Sequence, residues 1–263
     1  MEGLTASALP YKERHHNGFA PRGQTEDFCP VVVTGLRAEG AMIRDAYNEL
    51  GVPCIVIDYG YLSRVSGKAT FQTGHWQVGV DRLGWVPKFA CPSDRFDALG
   101  IELLKQPRQG KRIYVCGQHD GDPSHGLSRK GIIEWAMTTI NDLRFVTERE
   151  IVWRAHPDSQ IGIGNVENST GPIDWGDVHC IVTINSNIGH EALINGVPVI
   201  CDPGAPYAEL ANDCFSEGLF MPDAKLRKKY FSRLAYGQWT LEEIRSGLPQ
   251  RWLVENGLTE KRN

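Results

Sequence analysis

The sequence predicts an α/β protein built as two small doubly wound domains around one cleft. Three observations carry this expectation. Each half of the chain opens with its own strand–helix–strand alternation, at Pro30 and again at Arg112. A polar stretch bearing Pro and Gly, Gln106-Pro107-Arg108-Gln109-Gly110-Lys111, separates the halves. A further strand–helix–strand unit runs from His179 to Cys201, its short helix closed by the turn Asn195-Gly196. Strands joined through a helix pair in parallel, because the crossover returns the chain to the same end of the sheet.

Residues 1–30 lack the apolar stretch of a secretory signal and read as a loosely docked arm. Pro30-Val31-Val32-Val33-Thr34-Gly35 predicts a buried strand ending in a glycine turn. Ala41, Ile43, Ala46 and Leu50 then fall at helical spacing, with Gly51 as the stop. Pro53 to Tyr59 predicts the next strand and places Asp58 at its carboxyl end. Residues 60–95, rich in Gly and aromatics, read as loops with short strands, followed by an amphipathic segment through Leu104. GxGxxG is absent after the first strand, which leaves a dinucleotide dehydrogenase with little support.

In the second half, Ile113 to Gly117 predicts a strand, a helix follows from Lys130 to Val146, and Glu150 to Arg154 predicts another strand. Residues 159–178 read as loop and turn. The expected domains are thus 31–108 and 109–263, the latter ending in a helical segment from Trp239 to Val254.

Composition sets the outer bounds. The chain has 263 residues, 41% of them hydrophobic and 23% charged, with a net charge of −4, as in an ordinary soluble protein. This balance is not the footprint of a nucleic-acid binder, and no apolar run approaches the roughly 18 residues of a membrane span. The seven cysteines are odd in number and form no CxxC pair; Cys54, Cys116, Cys180 and Cys201 lie in or beside apolar runs. Such usage fits a reducing compartment, the cytoplasm, and argues against a zinc site.

In open α/β sheets ligands gather at the carboxyl ends of the strands. Three loops of the second half occupy such ends and carry Gln118, His119, Asp122, Ser124, Arg154, His156, Ser186, Asn187, Gly189 and Glu191. A cation, imidazoles, hydroxyls and helix-start amides suit a phosphate ester, and a nearby carboxylate suits sugar or ribose hydroxyls. Ser186 or Asn187 could equally serve as helix caps, and His156 could be a turn residue before Pro157. Lys225 to Arg233 interleaves basic and aromatic residues; it reads as a solvated amphipathic helix or as a contact for a polyanion such as acidic glycan or DNA.

The order of these motifs resembles that of bacterial capsule polysaccharide biosynthesis proteins, which include Kdo transferases and related GT-B-like glycosyltransferases. The resemblance rests on Gln118-x-x-x-Asp122-x-Ser124, Arg154-x-His156-Pro157, Ser186-Asn187-x-Gly189-x-Glu191-Ala192-Leu193 and Gly204-x-Pro206-Tyr207. In the first half, Asp58-Tyr59-Gly60-Tyr61-Leu62-Ser63-Arg64 and Gly79-Val80-Asp81 look like two further segments of that family. Ala155 stands where a proline is usual, and Asp58 where a Glu is common.

The resemblance implies a GT-B-like fold of two Rossmann-like domains facing one cleft, with a nucleotide-sugar donor held by the second and the acceptor by the first. It implies donor binding by Gln118, Ser124, Arg154, His156, Ser186, Asn187, Gly189 and Glu191, with no metal and no cofactor beyond the nucleotide-sugar co-substrate. Asp122 is the first choice for the catalytic base, with Asp58, His75 and Asp81 as the other candidates. The acceptor would be a glycan or a modified DNA base. Two rivals remain at this stage: a sugar-nucleotide epimerase, and a nucleotide- or glycan-binding module without turnover.

Overall fold

The computed structural model describes residues 30–37 and 39–260. The expected arm therefore lies, apart from Pro30, outside the described residues. The chain forms two compact units, one of the described residues up to Arg95 together with those from Arg233 on, the other Phe96–Ser232. The divide thus differs from the expected 108/109 boundary, and the C-terminal segment belongs with the first unit.

The first unit holds a four-stranded sheet. Its strands are β1 (Val31–Thr34), β2 (Cys54–Tyr59), β3 (His75–Val80) and β9 (Gln238–Thr240), in the order β1-β2-β3-β9. Helix α1 (Glu39–Glu49) joins β1 to β2, which pair in parallel. Gly51 ends α1 at φ 72°, and the amide of Val52 returns to the Tyr47 carbonyl at 2.9 Å, a left-handed helix stop that favours glycine. The run Cys54-Ile55-Val56 is apolar throughout because both faces of the sheet are covered. Val33, Val56, Ile43 and Tyr47 fill the α1 side, and Ile55, Val78, Val80, Trp239 and Leu253 the other.

Beyond β2 the parallel pattern stops. Residues 60–74 contain only a short 3-10 turn, Lys68–Thr70, so no helix carries the chain across the sheet and β3 returns antiparallel to β2. β9 then pairs antiparallel with β3, setting Trp239 opposite Trp76. The expected all-helical terminus is thereby corrected to a strand followed by α6 (Leu241–Arg245) and α7 (Leu248–Glu255). Of the amphipathic segment expected through Leu104, only α2 (Asp94–Ala98) is helical. Arg95 ties this unit together: its guanidinium lies 3.8 Å from the Trp239 ring centre and donates to Glu243 at 2.6 Å.

The second unit holds a five-stranded sheet, parallel throughout. Its strands are β4 (Arg112–Cys116), β5 (Ile151–Arg154), β6 (Glu167–Ser169), β7 (Val178–Thr183) and β8 (Val199–Cys201). The order is β6-β5-β4-β7-β8. The chain winds outward from β4 through β5 to β6, then returns to the other side of β4. That is the doubly wound 3-2-1-4-5 order, with its switch point between β4 and β7.

Helix α3 (Arg129–Val146) buries Ile132, Ala136, Ile140 and Leu143 on one stripe, and Ser128 caps it by accepting from the Gly131 amide. β6 was not legible in the sequence, because Glu167-Asn168-Ser169 is a polar edge strand held by backbone pairing and by side-chain ties from Glu167 to Arg112 and from Asn168 to Ile163. The expected linker is packed into this unit: the Arg108 amide and guanidinium donate to the carbonyls of Gly196 and Asn195.

α5 (Ala224–Ala235) buries Arg227, Tyr230 and Phe231. The aromatic half of the basic stretch therefore lies inside the fold, which removes the rings from any polyanion contact there. Among the described residues no helix is long and apolar enough to cross a membrane.

The strand cysteines behave as small hydrophobes. Burial pushes the thiols of Cys54, Cys116 and Cys201 up from 9.0 to about 12, and that of Cys180 up as well. Thiolate is the reactive form, so these four should resist maleimide at pH 8 while exposed Cys214 reacts. Peptide mapping after labelling checks this, and labelling of the four at the Cys214 rate would contradict it. The unfolded chain releases these protons at lower pH than the folded one. Their contribution to stability is therefore fully present below pH 9.0 and lost as pH rises toward about 12.

Candidate functional site

The switch point of the second sheet is closed by side chains rather than left open. Thr183, 1% exposed at the end of β7, donates to the Cys116 carbonyl at the end of β4 at 3.1 Å. One step further out, Gln118 and Asn185 form a reciprocal pair. The Gln118 Nε2 donates to Asn185 Oδ1 at 2.6 Å, and the Asn185 amide donates to Gln118 Oε1 at 2.8 Å. Asn185 Nδ2 then donates to the Ser124 carbonyl at 2.9 Å, and Ser124 Oγ to Asn185 Oδ1 at 3.2 Å. The β4 loop and the β7 loop are thus locked to each other by one amide.

The rest of the β4 loop is organised from within. Asp122 Oδ1 accepts from the Ser124 amide at 2.8 Å, and the Asp122 carbonyl accepts from the Gly126 amide at 2.9 Å. His125 Nε2 reaches the His119 carbonyl at 3.1 Å. The His119 ring meets the His156 ring edge to face at 5.7 Å, which brings the loops after β4 and β5 together.

At the end of β5, Arg154 donates through Nη2 to the Gly171 carbonyl at 3.3 Å, while its Nε is buried with no hydrogen-bond partner. Neither Asp158 nor Asp174 takes the guanidinium in a salt bridge; Asp158 lies 3.8 Å from His156 Nδ1 instead. The charges of Arg154 and Glu191 both act on the Cys116 thiol, the first lowering and the second raising its pKa, so both stand near the carboxyl end of β4.

Helix α4 (Ile188–Ile194) starts at Asn187, but neither polar residue before it is a firm cap. Asn187 makes no side-chain cap bond, and Ser186 Oγ accepts from the Ile188 amide only at 3.5 Å. Asn187 Oδ1 is directed instead to His190 Nδ1 at 2.8 Å, and His190 Nε2 to the Tyr230 hydroxyl at 2.9 Å. Tyr207, whose hydroxyl burial keeps protonated, donates to the Ser186 carbonyl at 2.6 Å. Its ring fills the space over Gly189, where a Cβ would come within 2.2 Å of the ring. Glycine is required there by close approach, since any side chain would displace Tyr207 and with it Ser186.

Gln118, Ser124, Arg154, His156, Ser186, Asn187, Gly189 and Glu191 therefore all lie at the carboxyl end of one parallel sheet, and Asp122 shares that end. The other three candidates lie in the first unit and do not form one group. Asp58 Oδ1 accepts from the Tyr59 amide at 2.6 Å at the carboxyl end of β2. His75 opens β3 at that same end; its Nδ1 is 3.4 Å from the Ser63 carbonyl, and burial lowers its pKa.

Asp81 sits at the opposite end of that sheet with φ 64°. Its Oδ1 accepts from the Cys54 amide at 2.7 Å, and its own amide donates to the Cys54 carbonyl at 2.7 Å. The four residue steps of β2 from Cys54, which Asp81 holds, to Asp58 put the two aspartates about 13 Å apart, at roughly 3.3 Å per residue. Asp81 thus fastens the start of β2.

Sequence reading missed Asn185, His190, Tyr230 and the pair His125–Asp202. His190 carried a legible clue, since it stands three residues after Asn187 and so faces it across the helix start. Asp202 carried none: burial raises its carboxyl pKa and the nearby His125 lowers it, a juxtaposition made by the fold. Among the described residues no group of three or more His, Cys, Asp or Glu is arranged to hold a metal ion.

No protein-family model matches the sequence, and no curated protein matches it. Among solved structures the chain is similar to two transferase structures of KpsC from Thermosulfurimonas dismutans. For the beta Kdo 2,4 transferase the TM-score is 0.53 at 14% identity, covering 83% of this chain and 86% of that one. For the beta Kdo 2,7 transferase the TM-score is 0.53 at 16% identity, covering 89% and 86%. At such identity the likeness is one of fold.

Proposed function

We propose that the chain is a GT-B-type glycosyltransferase that moves a sugar from a nucleotide-activated donor to a hydroxyl acceptor, a glycan or a modified DNA base. The observation that carries this reading is the Gln118–Asn185–Ser124 lattice at the switch point of a doubly wound sheet. The fold shared with two Kdo transferases supports it.

In this reading the donor phosphate lies against Ser186, Asn187 and the positive end of α4, with Arg154 and His156 supplying positive charge. The unspent Arg154 Nε–H is a donor for it. Gln118 and Ser124 hold the two flanking loops in register, and Glu191 holds ribose or sugar hydroxyls. The acceptor oxygen attacks the anomeric carbon as the bond from that carbon to the phosphate oxygen breaks. The nucleotide leaves with the bonding pair, and fixed cationic and dipolar groups meet its charge without reorganisation and without a metal. Asp122 takes the acceptor proton on the oxygen not committed to the Ser124 amide. Asp58 and His75 are the alternative bases.

Ser186→Ala with His156→Ala should weaken nucleotide binding by about tenfold to a hundredfold in calorimetry, the loss of one or two charge-assisted or neutral hydrogen bonds. Unchanged affinity would remove the donor-site assignment. Incubation with nucleotide sugar alone separates a transferase from an epimerase, since only the latter converts it without an acceptor.

A further inference from the structure

The opposite end of the parallel sheet carries a cavity. Where β4, β5, β7 and β8 begin, a cavity of about 630 Å³ is lined by Arg108, Lys111, Arg149, His179 and Glu217, among others. The five residues of β4 separate it from the switch point, about 16 Å at roughly 3.3 Å per residue. It is not part of the site described above.

Two features distinguish this cavity from an ordinary surface recess. The first is a pair of donors left over by the fold. Arg149 uses Nη2 on Glu217 Oε2 at 3.1 Å and Nη1 on the Gly110 carbonyl at 3.5 Å, yet its Nε is buried without a partner. His179 Nε2, in the same lining, is also buried without a partner. Buried donors are almost always satisfied, so two unpartnered nitrogens on residues that line one cavity point to a polar group beside them.

The second feature is charge. Arg108, Lys111 and Arg149 face the single carboxylate of Glu217, an excess of two positive charges. A water molecule would satisfy the donors but leave that excess unmatched. Burial and the Arg149 charge both lower the His179 pKa, which favours the neutral ring.

We propose that this cavity binds a small phosphate-bearing dianion. The Arg149 Nε–H and the His179 Nε2–H donate to its oxygens, and Arg108 and Lys111 balance its charge. The volume lies within the range of small-molecule sites, which leaves room for an organic group attached to the phosphate. The proposal does not depend on the glycosyltransferase reading.

The test is a titration of the full chain with inorganic phosphate at constant ionic strength, following histidine ring resonances by NMR. The expected result is a saturable shift of the His179 ring, separate from any movement of His119 and His156 at the other end of the sheet. In the variant Arg108→Gln with Lys111→Gln, which keeps Arg149 and His179, the dissociation constant should rise about tenfold or more. Phosphate should also raise the melting temperature of the parent chain and fail to do so in the variant. A shift that sodium chloride reproduces, an equal affinity in the variant, or movement of His119 and His156 without His179 would each overturn the proposal.

Discussion

Replacing Arg227 by methionine should lower the stability of the second unit by about 3–5 kcal/mol. Arg227 is 1% exposed and has no carboxylate partner among its recorded bonds. Its guanidinium instead donates to three carbonyls: Nε to Pro222 at 3.0 Å, Nη1 to Leu193 at 2.5 Å and Nη2 to Leu104 at 2.6 Å. Leu193 lies in the last turn of α4, so the cation also meets the negative end of that helix.

Methionine fills most of the volume but donates nothing, and the carbonyls of Pro222, Leu193 and Leu104 lose the guanidinium together. A fall in melting temperature of about 10 °C or more follows for a unit of this size. Arg227→Lys should recover less than half of it, since one ammonium cannot match the planar fork. Thermal melts by circular dichroism decide the matter, and a methionine variant within about 2 °C of the parent would show that the three bonds contribute little.

Gln118→Leu should cost nucleotide binding far more than it costs stability. The substitution is close in volume, and Gln118 is 6% exposed, so leucine fits the same space. What it removes is the reciprocal amide pair, leaving the Asn185 backbone N–H without its acceptor and the β7 loop without its tie to the β4 loop. Under the donor-site reading, affinity for the nucleotide should fall by about tenfold to a hundredfold, with the melting temperature lower by only a few degrees.

Asn185→Leu should do much the same, and the double variant little worse than either single one. Such non-additivity is expected of residues that act as one unit. Additive losses would mean that the two side chains contribute separately, and the lattice would then lose its place in the argument.

Much of the second unit was legible beforehand. Short apolar runs marked its strands at 113–117 and 150–154, residues 130–146 read as the helix that is α3, and the Asn195-Gly196 turn marked the end of α4. Where local pattern and burial agree, the one can be read from the other. β6 escaped because it has no apolar pattern, and its ties, from backbone pairing to the Arg112–Glu167 ion pair, reach residues that only the fold brings near. β9 escaped for a related reason: Trp239 suits a helix face as well as a strand, and only its partner Trp76, far away in sequence, settles the matter.

The candidate site divides in the same way. Residue types and loop positions placed Gln118, Arg154, His156 and Ser186 at the carboxyl ends of strands, but could not separate Asp81 from Asp58 and His75. The fold does so by giving Asp81 the Cys54 amide to hold, at the far end of β2.

By itself, then, the sequence determined the local alternation, the α/β class and the three polar loops of the second half, because periodicity and turn chemistry act over a few residues. Tertiary structure alone decided the strand order, the return of the C-terminal segment to the first sheet and the pairing of Gln118 with Asn185. It also decided which buried donors were left unspent. Each of these depends on groups distant in the chain meeting in a dry interior, where a hydrogen bond unmade carries its full cost.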